Sequence, residues 1–401
     1  MQSGFAKDGR SFAWLIHPID IETFFRDYFE QKPLHVTGRS LDYYAEIFRP
    51  EDMEDILWRN VHSPSIAVAS KMSRAISAPI SYVGTSEPWW PGEMYKDRHA
   101  LIINGIQKHI AGAGRFLRGI EKFFKTSGHL NLYANPANCQ GFPPHFDSHD
   151  TLILHIEGIK RWMFYGQHAT NPVHTQLDSK LVPPSGDPEM ELELAPGDFL
   201  YIPRGHVHAA STSDSPSKHL TLGLFPSSWR DLMDMALATS AEYLDDSLRA
   251  SIPLDASRET IATTLKEHFL ALAQRCNDDV FVEQARTRLL LNTIDQMQAL
   301  PDHHLERFDD AGTLNEDSII RKRDSTLCAA FMHQGEAFIR FPTFTATAMV
   351  KGPAFIFDTL KFVEETEDPF RISEMAGSMN SRSKLILARR LMTEGLLALP
   401  R

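Results

Sequence analysis

The chain has 401 residues, of which 42% are hydrophobic and 23% charged, with a formal net charge of −11. That length implies two or three domains rather than one small core, and the acidic balance argues against a nucleic acid backbone as the main partner. Three cysteines, Cys139, Cys276 and Cys328, stand far apart in no C-x-x-C pair, which excludes a disulfide framework or a cysteine-rich zinc site and suits a reducing compartment.

The segment MQSGFAKDGRSFAWLIHP lacks the basic-then-apolar order of a secretory signal. No window approaches the roughly 18 uninterrupted apolar residues of a membrane span. The expectation is a soluble, cytoplasmic protein with no membrane partner. In IETFFRDYFEQ (21–31) the spacing of Phe24, Phe25, Tyr28 and Phe29 predicts a helix closed by Lys32-Pro33, and PEDMEDIL (50–57) predicts a second, with acids in its first turn. From residue 130 the pattern turns to strands: HLNLYA, DTLILHI, KRWMFY, MELELA, DFLYIP and HLTLGLF, separated by Pro, Gly and Asn turns. Short strands at this spacing predict a mainly β, double-sheet jelly roll.

Between Ser228 and about Ala299, WRDLMDMALATSAEYL, SRETIATTLKEHFLALAQRC and FVEQARTRLLLNTIDQMQAL recur at three-and-four spacing. Their apolar stripes are wider than one short helix can hide, so this helical module is expected to pair with a second copy of the chain. Residues 301–312 read as a linker. Beyond it come two strand-like runs, EAFIRF and TATAMVKG, then FDTLKFVEET, then RISEMAG, a turn at Gly377, and SRSKLILARRLMTEGLLAL. Short helix, glycine, second helix is helix-turn-helix spacing, and with the strands it predicts a winged-helix module. The expected domains are a barrel over 1–226, a helical dimerisation domain over 227–305 and a winged-helix-like domain over 306–401.

Two segments carry chemistry. GFPPHFDSHD supplies His145 and Asp147, two apart, so that in extended backbone both side chains leave the same side. PGDFLYIPRGHVH supplies His208 about sixty residues later, with His206 as a competitor two positions away. Two imidazoles and one carboxylate on one face of a metal leave the opposite positions open, which suits a non-haem Fe(II) centre binding a co-substrate and O2 together. A structural zinc site would close four positions. His149 and His155 read as supporting or structural histidines, and Trp162 and Phe164 as core aromatics. Trp89 and Trp90, in SEPWWPGEMYKD, read as packing residues. No G-x-S-x-G and no phosphate-cradling glycine loop is present.

The stretch NLYANPANCQGFPPHFDSHDTLILHIEGIKRW followed by LAPGDFLYIPRGHVH resembles the JmjC-type 2-oxoglutarate oxygenases of the cupin superfamily, and most closely their ribosomal oxygenase branch. Weaker similarity runs through FFRDYFEQKPLHV and SKHLTLGLF, and the three-part layout is similar too. The resemblance implies a JmjC/cupin catalytic domain with Fe(II) on His145, Asp147 and His208, the family spacing favouring His208 over His206. It implies 2-oxoglutarate as co-substrate and O2 as oxidant. Lys160 in EGIKRW matches the basic residue that receives the distal carboxylate of 2-oxoglutarate. Asn131 and Tyr133 match residues beside the same ligand, and Thr221 lines the cavity. The implied activity is hydroxylation of a histidine or arginine side chain in a ribosomal protein, and demethylation of methyl-lysine would run through the same step.

Two other readings compete. One is a winged-helix nucleic-acid regulator carrying a sensory cupin: residues 321–401 hold twelve Lys/Arg against nine Asp/Glu, and the last helix carries Arg382, Lys384, Arg389 and Arg390. A charge run on a helix is usually its solvated face, and this excess is thin for a DNA reader, so direct nucleic-acid binding is not expected. The other is a metal-dependent cupin enzyme that does not use 2-oxoglutarate; Lys160 separates it from the oxygenase.

Overall fold

The computed structural model describes residues 12–59, 67–71, 74–77, 89–173, 186–243, 246–297, 299–300, 304–323, 326–343 and 347–400. The chain divides into two compact units, 1–226 and 227–401.

The first unit opens with helices α1 (Phe12–Ile16) and α2 (Ile21–Asp27), a short strand β1 (Leu34–Val36) and α3 (Asp52–Arg59). Helix α2 starts where the sequence predicts, because the Asp20 carboxylate accepts from the Thr23 N–H at 2.8 Å. It ends four residues before the predicted Gln31. Glu30 takes a left-handed φ of 57°, and its N–H donates to the Tyr201 hydroxyl at 3.0 Å, so a distant strand draws the chain out of the helix. Strands β2 (Ala67–Lys71) and β3 (Arg74–Ser77), helix α4 (Trp89–Lys96), strand β4 (Ala100–Ile103) and helix α5 (Ala111–Phe124) follow.

The barrel strands are β5 (Gly128–Asn135), β6 (Asp150–Glu157), β7 (Lys160–Gln167), β8 (Met190–Leu194), β9 (Phe199–Ile202), β10 (His206–Ser211) and β11 (Ser217–Leu224). Six of these lie on the predicted runs; β10 was not among them. They form two facing sheets, an eight-stranded one in the order β1-β9-β6-β11-β5-β4-β2-β3 and a three-stranded one in the order β10-β7-β8. This is the expected jelly roll.

Alternation along the strands sorts two interiors. Leu130, Leu132, Leu152, Leu154, Leu220 and Leu222 pack outward with Phe12, Phe24 and Phe116 of the helices in the largest core. Residues between them face the other sheet, where Ile153, Leu200 and Ile202 meet Trp162 and Phe164. Trp90 belongs to the larger core; residues 86–88 and the side chain of Trp89 lie outside the described residues.

The second unit begins with α6 (Trp229–Tyr243), α7 (Arg258–Arg275) and α8 (Asp279–Gln296), on the three predicted runs. Ser257 and Asp278 cap α7 and α8 through the N–H groups of Thr260 and Val280. The expected linker holds instead a short helix α9 (Arg307–Thr313), anchored by buried Ala311 beside Leu314; residues 301–303 lie outside the described residues. Then come β12 (Ile319–Lys322), β13 (Ala329–His333), β14 (Glu336–Pro342), β15 (Thr347–Pro353), α10 (Phe357–Glu365), β16 (Phe370–Arg371), α11 (Ser381–Glu394) and β17 (Leu397–Ala398).

RISEMAG, read as the short first helix of a helix-turn-helix, is only a single 3-10 turn at Ile372–Glu374. Ile372 and Met375 are drawn into the core there, and Asn380 caps α11 directly after it. The helical stretch and the C-terminal stretch fall in one unit because Ile294 and Met297, at the end of α8, share a core with Leu327 and Ala329. On α11, Lys384 and Arg389 donate to backbone carbonyls of Ser373 and Leu314, and Arg390 pairs with Glu394 at 2.6 Å. These cations serve intramolecular contacts.

Candidate metal centre

His145 lies outside the named strands, yet it pairs with β10. Its N–H donates to the His208 carbonyl at 3.0 Å and its carbonyl accepts from the His208 N–H at 2.8 Å, an isolated antiparallel bridge. The Asp147 carbonyl accepts from the Gly205 N–H at 2.9 Å. Backbone pairing thus brings the His-x-Asp segment and the third ligand candidate side by side. One ligand atom from each of His145, Asp147 and His208 lies within 4.8 Å of the others, the one such cluster among the described residues. The His208 Nε2 sits 3.8 Å from an Asp147 oxygen, and the two imidazole centroids are 4.6 Å apart.

The donor set fits a divalent metal. Each histidine has its Nδ1 against a backbone carbonyl, His145 on Pro143 at 2.9 Å and His208 on His206 at 3.0 Å. That arrangement puts the proton on Nδ1 and leaves both Nε2 lone pairs for the metal. Burial, reinforced by the neighbouring His145, pushes His208 down to about 4, against the pull of Asp147, so its imidazole is neutral near pH 7.

His206 stays out of this cluster. A bulge shifts the β10–β7 register between His206 and His208, setting His206 opposite Gln167 and His208 opposite Phe164, so the two do not share one regular strand face.

The other sequence candidates line the same barrel in successive rows across β5, β11 and β6. Pairing sets Asn131 opposite Thr221 and Thr221 opposite Ile153; the next row is Tyr133, His219, His155. Tyr133 stacks on His219 at 5.0 Å, and burial, with Asp147 adding, holds its phenol above the usual range. The Asn131 carbonyl oxygen accepts from the Gly105 N–H at 2.9 Å. Thr221 is buried.

Lys160 enters from β7 and is 4% exposed. Its Nζ donates to the Asn135 Oδ1 at 2.8 Å, and Asn135 stands opposite Ser217 one row beyond Tyr133. Desolvation pushes the Lys160 amine down to about 7. Four buried groups around it have no partner among the described residues: Trp162 Nε1, Ser217 Oγ, and the Nδ1 atoms of His155 and His219. A lysine with one neutral partner, beside the unpaired Trp162 N–H and Ser217 hydroxyl, is an environment for an anion; the His155 Nδ1 is an acceptor, since its Nε2–H donates to the Gly158 carbonyl at 2.9 Å. Asn135, Ser217 and His219 were not singled out in the sequence; Asn135 and His219 sit two residues from named candidates on the same strand face, and that period was the available signal.

Residues 107–232 match the family model described as the JmjC domain. A bifunctional lysine-specific demethylase and histidyl-hydroxylase NO66 from Aedes aegypti is 31% identical over 61% of this chain and 40% of its own length. Ribosomal oxygenase 2 of Bos taurus is 30% identical over 66% of this chain and 60% of its own length. The chain therefore spans about half the length of the curated relatives it matches. Escherichia coli ycfD shares the fold at a TM-score of 0.58, with 14% identity over 95% of this chain and 98% of that one. A second structure of that protein, described as a ribosomal oxygenase in complex with cobalt and 2-oxoglutarate, aligns at 0.56 and 13%. Residues 107–232 thus carry a JmjC domain, and the chain is similar in sequence to proteins named as ribosomal oxygenases.

Proposed function

We propose that the protein is an Fe(II)- and 2-oxoglutarate-dependent protein hydroxylase acting on a histidine or arginine side chain of a ribosomal protein. The observation that carries this reading is the pairing, inside one barrel, of an open His145–Asp147–His208 cluster with a buried Lys160 that has no carboxylate partner among the described residues. A cupin using its metal alone has no need of that lysine. The names of the relatives from Aedes aegypti and Bos taurus support the substrate class.

When bound, Fe(II) and 2-oxoglutarate supply the oxidation: O2 is consumed, 2-oxoglutarate is split to succinate and CO2, and one oxygen atom enters a substrate C–H bond. This chain's residues do the positioning. His145, Asp147 and His208 would hold the metal, the two imidazoles kept in place by their Nδ1–H groups on the Pro143 and His206 carbonyls. Lys160, oriented by its hydrogen bond to Asn135, would receive the distal carboxylate. Trp162, Ser217 and His219 complete the buried wall that excludes water. Tyr133, Asn131 and Thr221 line the floor between the two.

The reading extends to a homodimer. Helix α7 has no buried residue, while Ile261, Leu265 and Phe269 recur every four positions and are all exposed, a stripe that a second copy would cover. The three cysteines form no disulfide with one another, which suits a reducing, cytoplasmic setting; no helix among the described residues is long and apolar enough to cross a membrane. A winged-helix role for the C-terminal stretch would lack the first helix of the helix-turn-helix, since RISEMAG forms only a 3-10 turn.

The test is calorimetric titration of 2-oxoglutarate into anaerobic protein loaded with Mn(II) in place of Fe(II). Metal-dependent, saturable binding that Lys160→Ala weakens is expected. Absence of binding in folded, metal-loaded protein would turn the assignment to a cupin with other chemistry.

A further inference from the structure

The ladder between β6 and β9 ends at the pair Thr151 and Ile202, and the next residue is Pro203, which has no N–H to extend it. Beyond it the chain turns through Pro203, Arg204 and Gly205 toward His208, facing the segment that runs from His145 and Asp147 to Asp150. Three ties join the two segments. His145 and His208 exchange main-chain hydrogen bonds, and the Gly205 N–H donates to the Asp147 carbonyl at 2.9 Å. The third is made by a side chain: the Asp150 Oδ1 accepts from the Arg204 N–H at 3.1 Å.

Asp150 is fully buried, and its neighbours fix it. The buried Tyr201 hydroxyl donates to the same Oδ1 at 3.0 Å and accepts from the Glu30 N–H at 3.0 Å. The Glu30 carboxylate in turn holds the Arg204 guanidinium and accepts from the Asn171 side chain at 3.2 Å. Behind the turn, the Gly205 carbonyl accepts from the His168 N–H at 2.9 Å. A Cβ on Gly205 would fall 1.8 Å from the Ala169 carbonyl oxygen, so the turn is gripped from both sides. His208 depends on that grip. The bulge between His206 and His208 interrupts the regular pairing of β10 with β7, which loosens the hold of that sheet on the start of the strand.

Packing alone would be served better by an apolar side chain at this place. Burial pushes the Asp150 carboxyl up to about 6, against the Arg204 N–H that holds it down. Its Oδ2 has no hydrogen-bond partner among the described residues. A buried polar atom left unsatisfied marks a place where something besides stability is served. We propose that Asp150 is a positioning residue for the metal centre: its carboxylate sets the Pro203–Gly205 turn, and through it His208, within reach of one ion together with His145 and Asp147. The inference rests on the metal reading of that cluster and adds to it a residue that would not touch the ion.

The test is metal binding by the full chain, read by electron paramagnetic resonance of Mn(II) and by the visible absorption of Co(II), whose bands follow ligand geometry rather than fold stability. Asp150→Ala leaves the Arg204 N–H and the Tyr201 hydroxyl without their acceptor. It should bind Mn(II) about tenfold more weakly and shift the Co(II) bands. Asp150→Asn keeps Oδ1 for both donors and should restore affinity and spectrum. Wild-type affinity and bands in folded Asp150→Ala overturn the proposal. So does an asparagine variant as impaired as the alanine one, since charge rather than the hydrogen bonds would then be at work. Should Asp150→Ala fail to fold, Tyr201→Phe decides. Loss of that donor should shift the Co(II) bands and weaken Mn(II) binding about threefold, and unchanged bands overturn the positioning role. A wild-type chain that binds neither ion sinks the metal reading itself, and the role of Asp150 with it.

Discussion

His145 and His208 exchange both backbone hydrogen bonds, at 3.0 and 2.8 Å, so the two imidazoles are set by main-chain pairing rather than by side-chain packing. The geometry of the cluster is then inherited from the sheet: shifting β10 by one residue would turn His208 out of the site. The Nδ1 contacts to Pro143 and His206 fix the remaining freedom, the ring orientation.

Replacing either histidine should therefore remove the metal without unfolding the barrel. Losing even an outer-shell partner costs about 10–100-fold in metal affinity, so His145→Ala and His208→Ala should each weaken Mn(II) binding at least roughly 100-fold and abolish turnover. His206→Ala should retain both. Metal titration followed by electron paramagnetic resonance separates these outcomes, and full metal binding in His145→Ala would remove that residue from the ligand set.

Lys160 is predicted to cost stability and supply affinity. A hydrogen-bonded charge pair contributes about 1.5–3 kcal/mol, so Lys160→Met should weaken 2-oxoglutarate binding by roughly 10- to 150-fold. The same change removes a buried amine with a single neutral partner and should raise the Tm of the ligand-free protein. Calorimetry and thermal melts read the two effects. A lower Tm with unchanged 2-oxoglutarate affinity would mean that the lysine is purely structural.

The pH dependence follows from the same group. Its amine titrates at about 7 in the ligand-free fold, below the usual lysine value, so it is neutral above that pH and must take up a proton to hold a carboxylate. Affinity for 2-oxoglutarate should be constant below pH 7 and fall above it, by up to about tenfold per pH unit. Lys160→Met should abolish that slope. For stability the sign is opposite. Between pH 7 and the ordinary lysine range the unfolded chain holds the extra proton, so this residue's destabilisation is relieved as pH rises through that window.

The stripe on α7 gives a prediction independent of chemistry. Leu265 and Phe269 are 52% and 60% exposed, and charging them should leave the helix intact, since glutamate is a good helix former. Leu265→Glu with Phe269→Glu is expected to convert a dimer to a monomer in sedimentation velocity. A wild-type chain that sediments as a monomer at micromolar concentration would retire the dimer.

Much of this protein is local, and the sequence by itself determined it. The apolar runs DTLILHI and HLTLGLF specify strands, and both are buried along almost their whole length. The caps Asp20 and Ser257 start helices where the predicted runs begin, and Asp278 starts α8 two residues ahead of its run. The His-x-Asp pair with a distant histidine specifies the type of metal centre, because ligand chemistry depends on residue type and a two-residue period. What lay between elements was decided by tertiary structure. Helix α2 stops short because Tyr201, on a strand far along the chain, binds the N–H of Glu30. The choice between His206 and His208 turns on a bulge in the pairing with β7, and a bulge leaves no mark on residue periodicity. Asn135 becomes the partner of Lys160 only when strands close into a barrel. Contacts of that kind depend on register between segments distant in the chain, which no local pattern encodes.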